Sequence, residues 1–160
     1  MNNMLIFPHK KLRANVIKEY LNESKYDKVV CFSCGNAAKE LIKAGVDTLF
    51  IGENGEFKPC KWFSHLEIET IFSNYFDATS GHLPFELMVM LSNRYKEYLG
   101  ELKSDKIYVP TGSGETIFCL KMAYPNKKFV AVYNLNEATK YDETNPFNHL
   151  VEIIADEVIK

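Results

Sequence analysis

Ile107-Tyr108-Val109-Pro110-Thr111-Gly112-Ser113-Gly114-Glu115-Thr116 is the stretch whose reading decides the fold. Three strand-forming residues meet a proline, which cannot donate to a ladder, and the chain then passes through a Gly/Ser-rich turn. A helix-forming run continues to about Tyr124, and Phe129 to Tyr133 is again strand-like. Strand, loop, helix and strand at these lengths make a βαβ unit, so the two strands lie parallel and the crossover is right-handed.

Working outward, the same alternation recurs. Leu12, Val16 and Tyr20, with Ile17 and Leu21 beside them, predict an amphipathic helix over 11–23. Lys28 to Phe32 is a buried strand that runs into Ser33-Cys34-Gly35-Asn36 and a small-residue helix stopped at Gly45. Asp47 to Ile51 is a further strand, closed by the turn at 52–55, and Tyr75 to Ala78 another. Ser64 and Glu67 fit a capping box that opens a short helix through Phe72, with a strand as the alternative from the Leu66/Ile68 alternation. Pro84 suits the first turn of a long helix that ends at Gly100. Asn145-Pro146 opens a last helix with Phe147, Leu150, Val151, Ile154 and Val158 on one side. The expected architecture is α/β, an open and mostly parallel sheet with helices on both faces in three layers, formed by residues 1–160 as a single domain.

Composition narrows the function. The chain has 160 residues, 46% hydrophobic and 25% charged, with a formal charge of -2. A sequence-independent nucleic-acid binder would need a Lys/Arg excess, so no nucleic-acid partner is expected. No apolar run approaches a membrane span, and the first residues lack the basic start of a leader, so the expectation is a cytoplasmic protein that does not engage a membrane. Cys31, Cys34, Cys60 and Cys119 read as reduced core thiols, with a redox role open for the Cys31/Cys34 pair. The histidines show no ligand spacing, and no metal is expected.

In an open parallel sheet, ligands gather where strands end and helices begin, because first-turn amides and the helix dipole attract anions. Three loops hold that position: Ser33 to Asn36, Thr79 to His82, and Thr111 to Thr116. In the last, Gly112 and Gly114 let the backbone approach a phosphate, and Thr111, Ser113 and Thr116 add hydroxyls. A tight strand-to-helix turn with a capping threonine is the alternative. The nucleoside-triphosphate loop G-x-x-x-x-G-K-[ST] is absent, and a dinucleotide fingerprint would need glycine where Ile117 stands. His82 is a candidate acid/base group, with a helix cap or a surface residue as the alternatives, and Trp62 and Phe63 form a pocket lining, a dimer contact or a satellite cluster.

Taken in order, Lys11-Leu12-Arg13, Ser33-Cys34-Gly35-Asn36 and Val109-Pro110-Thr111-Gly112-Ser113-Gly114-Glu115-Thr116 resemble the landmarks of the fold-type II pyridoxal-phosphate enzymes, the tryptophan synthase β-like family, in a shortened form. The resemblance implies that Lys11 forms the Schiff base, with Lys10 as the alternative. It implies that Ser33, Cys34, Gly35 and Asn36 bind the substrate carboxylate, with Asn36 also at the cofactor ring oxygen. Gly112, Ser113, Gly114 and Thr116 would hold the phosphate of pyridoxal phosphate. The implied activity is a lyase-type β-elimination or β-replacement on a small amino acid, with the ring as electron sink. The alternative is a non-catalytic relative that binds a phosphorylated metabolite or a protein partner. A homodimer is the expected assembly.

Overall fold

The computed structural model describes residues 3–23, 28–31, 36–46, 48–51, 57–59, 75–77, 83–136, 139–144 and 146–160. The chain divides into two compact units, Met1–Pro8 with Met88–Lys160, and His9–Leu87. Each has its own four-stranded sheet.

In the second of these units, α1 (Lys10–Glu23) packs against α2 (Asn36–Lys43). The sheet runs β4 (Phe57–Pro59), β3 (Thr48–Ile51), β2 (Lys28–Cys31), β5 (Tyr75–Asp77). β2 is parallel to both β3 and β5, while β4 adds antiparallel to β3 at the edge. Helix α1 buries Leu12, Ala14, Val16 and Ile17, and α2 buries Ala38 and Leu41, as their apolar spacing requires. Gly45 stops α2 in the left-handed region (φ +85°), where its amide reaches Ile42 O and that of Val46 reaches Leu41 O.

The other unit is the better guide to function. Its sheet is wholly parallel, in the order β1 (Met4–Leu5), β6 (Lys106–Pro110), β7 (Lys128–Val132), β8 (Glu157–Ile159). Phe129, Val130 and Ala131 are consecutive in β7 and all fully buried. Successive strand residues face opposite sides, so both faces of this sheet are covered, which is the three-layer α/β arrangement the alternation predicts. Helix α4 (Glu115–Ala123) links β6 to β7, and α5 (Pro146–Ile154) links β7 to β8. Two right-handed crossovers stepping in one direction put both helices on one face. Side chains agree, since Lys121 Nζ of α4 lies 6.0 Å from the Phe129 ring centroid and Lys160, beyond β8, pairs with Glu152 of α5. The long helix α3 (Phe85–Leu99) begins one residue after Pro84.

Two details correct the sequence reading. Val158 belongs to β8 and not to the last helix, which ends at Ile154. The reason is Asp156, whose amide reaches Phe129 O and whose carboxylate accepts from Phe129 N at 2.8 Å and Lys121 Nζ at 2.9 Å, turning the chain onto the edge of β7. The buried stripe of α5 is also rotated from the expected one: Asn148 and Val151 are inside, while Leu150 is 43% exposed. The capping box at Ser64 and the turn at 52–55 lie outside the described residues.

Candidate functional site

The carboxyl edge of the parallel sheet is set by register. Pro110 pairs with Val132 and Val132 with Ile159, so β6, β7 and β8 end side by side. Thr111 extends β6 by one bond, its amide reaching Val132 O, and its hydroxyl donates to Val109 O at 2.7 Å. That hydroxyl serves the chain's own backbone, so Thr111 shapes the loop and Ser113 and Thr116 remain as its hydroxyl groups.

Gly114 is the residue on which the loop turns. It is the N-cap of α4 at φ 92°, ψ 0°, and as a glycine it makes no side-chain cap bond of its own. A Cβ at this position would overlap Cγ2 of Val151 on α5, so only glycine admits both the left-handed turn and the close approach of the two helices. The first-turn amides of a helix have no acceptor within it, and helix N-termini of this kind are the usual place for an anion to be held. Gly112, Ser113 and Thr116 are half-buried around it. Glu115 sits in the first turn, where its carboxylate complements the dipole and competes with an incoming anion.

At the start of α1, His9 does what no sequence signal announced. Its Nδ1 accepts from Leu12 N at 2.9 Å and its carbonyl from Arg13 N, making an imidazole N-cap. The capping role requires Nδ1 unprotonated. Lys11 is exposed in that first turn and Lys10 is half-buried beside it. Asn36 is exposed as the first residue of α2, and Ser33, Cys34, Gly35 and His82 lie outside the described residues.

Beyond β7 the sequence reading missed a set of hydrogen bonds that centres on Asn134 and Thr139. Asn134 adopts φ 62°, its amide bonds Thr139 O, and its Oδ1 accepts from Tyr141 N. Thr139 Oγ1 in turn accepts from the amides of Leu135 and Asn136. Tyr141 stacks edge-on against Tyr133, with centroids 5.1 Å apart, and donates to Glu152 Oε1. Lys160 hydrogen-bonds Glu152 and, with the Tyr141 hydroxyl, holds that carboxyl below its ordinary range. A separate open cavity of about 390 Å³, with Tyr124, Leu102, Lys96 and Lys127 in its wall, lies at the opposite, amino end of β6 and β7.

Comparison with known proteins locates the fold. No family model matches the chain, and no curated protein does. Among solved structures, a threonine deaminase from T.th. matches with a TM-score of 0.53 at 12% identity, over 97% of this chain and 68% of that one. The α/β fold is therefore one that a threonine deaminase also adopts. No helix among the described residues is long and apolar enough to cross a membrane.

Proposed function

We propose that the protein binds pyridoxal phosphate, or a close phosphorylated relative, with its phosphate at the N-terminus of α4, and acts on a small amino acid by β-elimination or β-replacement. The observation that carries the reading is the left-handed Gly114 turn at the carboxyl edge of a parallel sheet. The fold shared with a threonine deaminase supports it, since that neighbour is named for a small amino acid.

The residues of the loop fit the phosphate end of such a cofactor. Gly112 and Gly114 add no side chain to the loop, and Ser113 and Thr116 supply hydroxyl donors. Bound there, the ring would serve as an electron sink. Lys11 is the amine assigned to it, with Lys10 as the substitute, and Ser33 to Asn36 the loop for the substrate carboxylate.

Two features favour a second reading, a non-catalytic relative that keeps the phosphate site for binding alone. Glu115 places a negative charge in the first turn of α4, and Thr111 spends its hydroxyl on Val109 O. Titrating purified protein with pyridoxal phosphate separates the two. A new visible absorption band that Lys11→Ala abolishes supports catalysis. Phosphate-competitive binding with no such band supports the binding role, and no binding at all rejects both.

A further inference from the structure

Beside the mouth of α4, two side chains are buried with polar atoms that have no hydrogen-bond partner among the described residues. Tyr133 is 3% exposed and its hydroxyl has no hydrogen-bond partner; Asn148 is 1% exposed and its Oδ1 has none. Unsatisfied polar atoms this deep are uncommon, because folding strips them of water without replacing it. Among the described residues nothing completes them, which leaves both atoms open to a group supplied from outside that set.

Register places both at the candidate site. Since Pro110 pairs with Val132, Tyr133 lies opposite Thr111, and paired residues point to one face. That face carries Ile107, Val109, Phe129 and Ala131 and is the one covered by α4 and α5. The Tyr133 ring therefore lies under the helices at the edge where Gly114 opens α4. Val151 rests on Gly114, and Asn148 comes three residues earlier on the same buried stripe. Three residues of helix rise are about 4.5 Å, toward the start of α5. Both helices begin at the carboxyl edge, so Asn148 stands past the mouth of α4, on the side from which a ligand would enter. The Asn148 amide is oriented by its own contacts: Nδ2 donates to Asp142 O at 2.9 Å, which leaves Oδ1 as an acceptor. Burial, then Tyr141 and Glu152, push the Tyr133 hydroxyl well above the usual tyrosine range, so it remains a proton donor at any ordinary pH.

We infer that Tyr133 Oη and Asn148 Oδ1 form a subsite beside the α4 phosphate site that receives a hydroxyl group of the ligand's organic part. A ligand hydroxyl matches the pair, accepting from the tyrosine while donating to the asparagine. The ligand class is then a hydroxylated phosphomonoester. The inference rests on the reading of α4 as a phosphate site and is independent of Lys11.

Calorimetric titration of the purified protein with glycerol 3-phosphate and with propyl phosphate tests it. Glycerol 3-phosphate is expected to bind at least about tenfold more tightly, the scale of a satisfied buried hydrogen-bonding pair. Tyr133→Phe removes only an atom that has no partner among the described residues, so its melting temperature stays level or rises. In that variant propyl phosphate affinity is retained and the tenfold preference disappears. Asn148→Ala loses the preference too, with a lower melting temperature because its bond to Asp142 O is gone. Equal affinity for the two esters in the unmodified protein overturns the subsite and leaves the phosphate site standing, as does a preference that survives either substitution. If neither ester nor inorganic phosphate binds, the phosphate reading and the subsite fall together.

Discussion

Gly114 and Val151 touch so closely that the glycine's missing Cβ is occupied by the valine's Cγ2. One contact thus couples the turn that opens α4 to the middle of α5 at the carboxyl edge of the parallel sheet. Gly114→Ala should cost about 2–4 kcal/mol, combining left-handed strain with overpacking. Adding Val151→Ala should recover part of the loss, a non-additivity read by urea unfolding of the two single variants and the double.

Asp156 anchors the passage from α5 to β8. Burial raises its pKa, but Lys121 Nζ, the Phe129 amide and Lys128 outweigh that, and the net shift is downward. A carboxyl lowered on folding contributes stability above its unfolded pKa, and that contribution is lost as pH falls through the folded one. Asp156→Asn should cost about 1 kcal/mol near neutral pH and should flatten the decline in melting temperature on acidification below about pH 4. A decline as steep as in the unmodified protein would remove Asp156 from the account.

His9 caps α1 through Nδ1, next to Lys11. His9→Ala should destabilise by about 1 kcal/mol, and His9→Asn should restore most of it, since asparagine is among the best N-caps. Thermal unfolding of the three proteins gives the comparison.

Glu115 lies in the first turn of α4, where its charge stabilises the helix and, on the proposed reading, would oppose a bound anion. Glu115→Gln should strengthen binding of inorganic phosphate by about two- to fivefold at low salt and lose the advantage at high salt, as a screened like-charge repulsion requires. Calorimetry at two ionic strengths measures it.

Much of the fold was legible because strands buried on both faces read as short apolar runs between helical periods. Ile107 to Val109, Phe129 to Tyr133 and Lys28 to Phe32 are all found within a residue or two of their expected bounds. What escaped was decided by tertiary contacts. β1 and β8 are two and three residues long, too short for any periodicity, and exist because β6 and β7 offer edges to pair with. Val158 continued a helical stripe in sequence, but Asp156 had already turned the chain. The glycines of the 111–116 loop were legible from their type alone, whereas the Thr111 hydroxyl could be assigned only once Val109 O was seen within reach. Tyr133 and Asn148 carried no signal at all, since an unsatisfied buried atom becomes visible only after packing is known.

The most direct test of the central claim is to incubate the protein with pyridoxal phosphate, reduce with borohydride, and map the modified peptide by mass spectrometry. A single phosphopyridoxyl group on Lys11, whose formation is prevented when excess inorganic phosphate is present during the incubation and is weakened in Gly114→Ala, is the predicted result. Labelling scattered over surface lysines, or unchanged by phosphate, would contradict it.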